Sequence, residues 1–349
     1  MDELRKIVKV KFLGFDPKDG NPKDFILFNN EFIKDKYDII ESDEPQFVFY
    51  QPFFELSDLC KYNDSIKIFI TGEPLHSDLN FFDYCFGFDN EISNDRICFF
   101  PHFLWDYNGI KSLTLKQAKT IVSKKEHFCD FIYGHEIQSN LREHYFNLLN
   151  AYKRVESAGK YLNNQEDGHI VHYEFNNPSK LELQKKCKFS LCIQWVDFPW
   201  FINEKIVHSF QANEIPIFYG TETVKQIFNP KRFLFIKDFK TDDDLLKKII
   251  ELDNDDDKFS EILSESIYNE HDYDKKVLDN AITFLDNILS SGKIVRNQQF
   301  GPNLYLNQIQ EYERYKRFYN YKFFRALRKI RNMLSVQKKK RKHKHGDDK

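Results

Sequence analysis

KFSLCIQWVDFPWFINEKIVHSFQANEIPIFYGTETVKQIFNPKRFLFIKDF, residues 188–239, is the stretch on which the fold turns. Residues 189–195 form a largely apolar run that reads as a buried strand. A short loop follows, a helix opens near Asn203, and a second apolar run, 215–219, stops at Gly220. Strand, helix and strand within so short a span make a βαβ unit, whose helix begins beside the strand ends where nucleotides bind. Glu204 and Lys205 fall in the first turn of that helix. A carboxylate there can accept hydrogen bonds from a ribose diol. The ammonium beside it can neutralise a diphosphate that the helix N–H groups already favour. The residues alone point to a nucleotide-sugar site.

Outward from this unit, 349 residues are enough for two cores. Strands are expected at 8–15, 37–40, 45–54 and 66–71, with a helix at 25–33. The polar stretch 106–125, holding a helix-like 113–122, reads as the crossing between domains. A second α/β unit starts at 126–133, and Arg142 lies in a helix at 139–152. A capped helix at 177–187 feeds the central strand. Thr241 opens a surface helix at 241–253, and further helices are expected at 258–269 and 274–291. The expected division is 1–120, 121–295 and a C-terminal helix with a basic tail, 296–349. Cys60, Cys85, Cys98, Cys129, Cys187 and Cys192 form no C-x-x-C pair and read as reduced, buried thiols. Residues 1–11 lack the apolar core of a signal peptide, and no apolar run reaches the roughly twenty residues that span a bilayer.

Glu73 follows the strand 66–71 in Thr71-Gly72-Glu73, which puts a carboxylate at the carboxyl edge of a parallel sheet. Transfer of a sugar with inversion needs such a group to take the proton of the attacking hydroxyl. From the residues alone, a glutamate here is more often a helix cap or a solvated strand end.

Several motifs together resemble the family 10 α-1,3/4-fucosyltransferases. They are K-F-x-L-C at 188–192, E-K-I at 204–206, I-P-I-F-Y-G at 215–220 and F-N-P-K-x-F at 228–233 with Asp238-Phe239. On the acceptor side they are T-G-E at 71–73, Asp78, Asn80, residues 82–84 and 87–89, N-D-R at 94–96 and Pro101. The resemblance implies a GT-B fold, two Rossmann-like domains facing across a cleft. It implies an inverting transfer of L-fucose from GDP-β-L-fucose to a GlcNAc or Glc hydroxyl of a glycan acceptor, forming an α-1,3 or α-1,4 linkage. Glu73 would be the base, Glu204 would hold the ribose, and Lys205 and Arg142 the diphosphate, for which the Arg142 fork is suited. Asn203 and Phe201 would complete the donor site. Arg96 reads as a loop brace, Gly159 as a tight turn, and Lys160 as a weak site residue. No cofactor beyond the GDP-fucose substrate is implied, and no metal, since residues 242–244 and 255–257 read as solvated helix acids. The chain departs from the family pattern at Gln194, Trp195, Phe201 and Asn203, where an acid, an amide, a tyrosine and a hydroxyl residue are usual. Loss of the tyrosine hydroxyl removes a contact of about 0.5–1.5 kcal/mol. The alternatives are therefore a transferase for a different nucleotide sugar, or an inactive glycan-binding relative.

Residues 313–345 carry fourteen Lys/Arg against one acid, leaving the rest of the chain acidic. A helix over 310–336 with aromatics beside these cations suits an anionic bilayer surface. The rival readings are nucleic-acid binding and a helix docked on the core. The expectation is a cytoplasmic protein of the bacterial or viral soluble type, peripheral at the inner face of the membrane through residues 310–345, with no nucleic-acid partner.

Overall fold

Runs of Phe, Ile and Val with few breaks are what strands buried on both faces require, and such runs form two all-parallel sheets. A computed structural model describes residues 5–15, 21–52, 59, 61–92, 94–105, 109–137, 139–166, 168, 170, 171, 178–296, 311, 314 and 317. The first sheet contains β1 (Lys6–Leu13), β2 (Tyr37–Glu41), β3 (Phe47–Tyr50), β4 (Ile66–Ile70), β5 (Tyr84–Gly87) and β6 (Ile97–Phe99), in the order β2-β1-β3-β4-β5-β6. The second contains β7 (His127–Phe131), β8 (Val155–Ser157), β9 (Cys187–Ile193), β10 (Ile215–Tyr219) and β11 (Leu234–Phe235), in the order β11-β10-β9-β7-β8. Each sheet is doubly wound. The strand order reverses between β1 and β3 in one and between β7 and β9 in the other, and at such a point the strand ends part to leave a crevice. Ile215 pairs with Phe189 and Tyr219 with Ile193, so β10 ends level with β9.

The helices include α1 (Glu31–Lys36), α2 (Leu115–Val122), α3 (Leu141–Tyr152), α4 (Pro178–Lys186), α5 (Glu204–Gln211), α6 (Val224–Ile227), α7 (Asp242–Asn254), α8 (Asp256–Ser264) and α9 (Tyr273–Ser291). One core gathers Phe49, Ile68 and Phe86 of the first sheet with Phe201, Ile206 and Leu285. A second gathers Phe131 and Phe189 with Leu149, Ile249 and Phe259. Phe201 and Ile206 belong to the first core although they flank the start of α5, so the βαβ unit is itself part of the seam between the halves.

The structure corrects several boundaries. The helix expected at 25–33 is a 3-10 turn, Pro22–Asp24, followed by α1. Asn30 accepts a hydrogen bond from the Phe32 N–H and so starts α1 later than the apolar pattern implies. The strand expected over 45–54 is confined to Phe47–Tyr50, and the helix expected to reach 269 ends at Ser264. The crossing falls between Ile110, packed in the first core, and Leu113, packed in the second, so α2 lies with the second half. The largest correction concerns α9, assigned above to the second domain. Phe284 sits edge-on to Tyr84 (6.1 Å) and Phe86 (5.1 Å), which puts this helix on the first sheet. Its apolar stripe fixes only that it is amphipathic, not which sheet it covers.

Cys85, Cys98, Cys129, Cys187 and Cys192 are free and buried, as expected, while Cys60 lies outside the described residues. The basic tail lies outside them as well, apart from residues 311, 314 and 317. Among the described residues no helix is long and apolar enough to cross a membrane.

Candidate functional site

The loop between β9 and α5, residues 194–203, leaves the second sheet and lies against the carboxyl edge of the first. Trp200 donates its indole N–H to Glu91 Oε1 (3.1 Å) and meets Phe99 edge-on, while Phe201 meets Phe88 at 5.3 Å. Asn203 then caps α5, its Oδ1 accepting from the Lys205 N–H at 3.2 Å. Glu204 is thereby delivered, buried, to the seam. Its Oε1 lies 2.6 Å from Lys205 Nζ, and its Oε2 lies 3.6 Å from Nδ1 of His102, which follows β6. Burial alone would neutralise this carboxyl. Lys205, His102, Lys180 and His208 outweigh that cost and hold it well below the usual carboxylate range.

Glu73 faces this group from the first sheet. Thr71 fixes its turn, with the Thr71 hydroxyl accepting from the Glu73 N–H and donating to the Glu73 carbonyl, both at 3.0 Å. Gly72 between them lets the turn lie on His102 and Trp105, which a Cβ would approach to 3.0 Å. Half-buried Glu73 has its proton affinity raised, first by burial and then by the Glu204 charge. Two carboxylates on either side of His102 thus have opposite tendencies, one anchored as an anion and one poised to take a proton.

The cations collect at the switch point of the second sheet. Tyr133 follows β7, and its phenol bridges the crevice by donating to the Leu191 carbonyl (2.8 Å) and accepting from the Ile193 N–H (2.7 Å). On its ring lie the Arg142 guanidinium, 4.3 Å from the centroid, and Lys205 Nζ at 5.4 Å. Arg142 donates to the His135 carbonyl (2.7 Å), and its Nε is buried without a protein partner. Behind them Lys180 Nζ lies 2.8 Å from His208 Nδ1, and burial together with the Lys205 charge pulls Lys180 down to about 8. Two cations and a helix N-terminus on one aromatic floor make an anion site of the kind that holds a diphosphate.

Of the residues selected from sequence, Glu73, Arg142, Asn203, Glu204 and Lys205 fall in this region. Phe201 is 2 % exposed and packs in the interior of the seam. Gln194 is wholly buried with neither amide atom partnered, and Trp195 is 49 % exposed. Lys160 is exposed and stands apart from these contacts. Arg96 donates to the carbonyls of Leu79, Phe82 and Asp83, which is the loop brace expected of it. Asp83, grouped above with the acceptor-side motif, is instead wholly buried in an ion pair with Arg296. Tyr133, Lys180, His102 and His208 escaped the sequence reading because each acquires its role from a partner distant in the chain. Among the described residues Asp130, Cys187 and Glu214 bring potential metal-binding atoms within 4.8 Å of one another. Burial and the Asp130 charge push the Glu214 carboxyl well above its usual range.

Comparisons with known proteins fall on both halves. A family described as glycosyltransferase family 10 (fucosyltransferase), C-terminal, matches residues 122–269, and the N-terminal domain of α-(1,3)-fucosyltransferase FucT matches residues 10–106. A putative fucosyltransferase, R654, of Acanthamoeba polyphaga mimivirus is 28 % identical over 240 residues, covering 68 % of this chain and 38 % of its own length. The α-(1,3)-fucosyltransferase FucT of Helicobacter pylori is 24 % identical over 289 residues, 72 % of this chain and 59 % of its own. The chain thus spans less than two thirds of either relative. A crystal structure of an α1,3-fucosyltransferase with GDP-fucose superposes with a TM-score of 0.68 at 21 % identity, covering 85 % of this chain and 94 % of that one. The same enzyme class crystallised with GDP gives 0.67. The fold is therefore GT-B, two doubly wound domains meeting at their strand ends.

Proposed function

Because this chain belongs to glycosyltransferase family 10, the fucosyltransferases, we propose that it transfers L-fucose from GDP-β-L-fucose to a GlcNAc or Glc hydroxyl of a glycan, with inversion and α-1,3 or α-1,4 linkage. The observation that carries this reading is the pair of cations on the Tyr133 ring at the start of α5, where Glu204 is held beside Lys205 and reaches His102, the residue on which the Gly72-Glu73 turn lies. The GDP diphosphate lies over Tyr133 between Arg142 and Lys205, and Glu204 accepts from the ribose hydroxyls at the start of α5. Fucose then projects toward Glu73 and the first sheet. Glu73 removes the acceptor hydroxyl proton as that oxygen forms its bond to the anomeric carbon, and the bond to GDP breaks on the opposite face. Arg142 and Lys205 stabilise the charge that grows on the leaving diphosphate. Phe201 shapes the fucose pocket from below by packing rather than by a polar contact.

The test is acceptor-dependent GDP release from GDP-fucose with N-acetyllactosamine and lacto-N-biose, comparing the native chain with Glu73→Gln. Release should fall by about 10²–10⁴-fold in the variant while GDP-fucose still binds. Equal release from both proteins would remove Glu73 from the mechanism. The unpartnered amide of Gln194 favours one second reading, a donor other than GDP-fucose. Turnover of another nucleotide sugar, with none of GDP-fucose, would establish it. Residues 310–345 complete the proposal as a contact to anionic membrane, tested by co-sedimentation with vesicles containing phosphatidylserine.

A further inference from the structure

His76 lies three residues beyond Glu73, in the loop that joins β4 to β5. Its Nδ1 is 2.7 Å from Asp89 Oδ1, and Asp89 Oδ2 accepts from the Ser77 N–H at 2.7 Å. The Asp89 side chain is 2 % exposed, whereas that of His76 is 72 % exposed. In the neutral ring, a buried carboxylate that accepts a hydrogen bond from Nδ1–H fixes both the ring and its tautomer and leaves Nε2 with its lone pair as an acceptor. No hydrogen bond from a described residue reaches Nε2. The ring also meets Phe198 at 4.7 Å, and Phe198 belongs to the loop that arrives from the second sheet. An oriented, exposed imidazole against an aromatic ring, on the same short loop as the base, is suited to a hydroxylated, partly apolar ligand such as a pyranose. The contacts that brace the loop elsewhere do not need it, since Arg96 already holds the carbonyls of Leu79, Phe82 and Asp83.

We propose that His76, held by Asp89, is an acceptor-recognition residue. Its Nε2 accepts a hydrogen bond from an acceptor-sugar hydroxyl adjacent to the one that Glu73 deprotonates, and Phe198 backs the same sugar. This rests on the transferase reading above and names the group that selects the acceptor. Because Phe198 comes from the donor-side loop, acceptor binding is also coupled to the position of that loop.

The experiment compares the native chain with His76→Phe, which keeps a ring against Phe198 but removes Nε2, and with His76→Gln, which restores a polar acceptor. Acceptor KM for N-acetyllactosamine and lacto-N-biose, GDP-fucose affinity, and saturation-transfer NMR of each acceptor with GDP present are measured. His76→Phe should raise acceptor KM about three- to tenfold, the worth of one hydrogen bond, and weaken saturation transfer, with GDP-fucose affinity unchanged. His76→Gln should recover part of the loss. An unchanged acceptor KM and unchanged saturation transfer in His76→Phe overturn the proposal, as does saturation transfer absent from the native chain. Saturation transfer that depends on His76 in a chain without turnover upholds the binding role while the transferase reading fails.

Discussion

Glu73 and Glu204 are the same side chain in two environments, and the difference assigns their work. Glu204 has lost its water but gained Lys205 at 2.6 Å, so it remains an anion across the working range. Glu73 has lost water with no cation among the described residues to offset it, and the Glu204 charge raises its proton affinity further. A base must be deprotonated to act, so the acid limb of the pH–rate profile should lie above the ordinary carboxylate value of about 4.3. Replacing Glu204 by Gln removes one cause of the rise, so in that variant the residual activity should have its acid limb moved down. A limb that stays in place on measuring kcat/KM against pH would mean that another group sets it. The stability signs are opposite. Glu204, depressed in the folded state, contributes stability above its unfolded pKa, and that stability is lost as pH falls toward the folded value. Glu73, raised in the folded state, favours folding less as pH climbs past the unfolded value.

At the scale of elements, the floor of the anion site depends on β7 meeting the turn after β8. Gly159 lies against the Tyr133 backbone so closely that a Cβ would collide with its N and O atoms. The tight-turn role expected of this glycine is thus a close approach instead, and its φ is not in the left-handed region. Gly159→Ala should displace Tyr133 and with it the ring that carries Arg142 and Lys205. Thermal unfolding should fall by several degrees, corresponding to about 1–3 kcal/mol of overpacking, and GDP affinity measured by calorimetry should fall with it. A destabilised variant with native GDP affinity would separate the floor from the site. The same element shows what the chain makes legible. Residues 188–220 could be read because strand, cap and helix start are local patterns, and Asn203, Glu204 and Lys205 follow one another. Tyr133 could not, since it appears only as the aromatic end of a buried run. Its partners, Arg142 on one side and Leu191, Ile193 and Lys205 on the other, converge through the topology of the sheet. Lys180 and His208 are hidden for the same reason. In the first half, the misplaced helix at 25–33 shows a short cap, Asn30, overriding an apolar pattern that β-sheet packing also satisfies.

Across the whole molecule, the chain does not stay in two sequential halves. After α8 it returns as α9 to the first sheet, where Tyr37 and Lys36 reach Asp286, the latter at 2.7 Å, and Lys6 Nζ reaches the Leu289 carbonyl at 3.0 Å. The return is locked at its end. Asp83, wholly buried on the short link before β5, accepts from the N–H groups of Lys67, Val295 and Arg296 at 2.7–2.9 Å and pairs with the Arg296 guanidinium. Arg296 also donates to the carbonyls of Ser65 (3.1 Å) and Asn63 (2.5 Å). Asp83 and Arg296 are 213 positions apart, which is why the motif around Asp83 could be read only as acceptor-side sequence. Replacing Asp83 by Asn leaves a buried guanidinium without its counter-charge, a change that costs about 3–5 kcal/mol in such pairs. Because the chain crosses back to the first sheet at α9 and the seam loop packs on both halves, the loss should lower a single unfolding transition. In urea, followed by tryptophan fluorescence and far-UV circular dichroism, both signals should move together to a lower midpoint. Separation of the two signals would show that the return helix had come away from the first sheet while the second domain stayed folded. A midpoint equal to that of the native chain would show that the backbone donors to residue 83, rather than the ion pair, hold the strap.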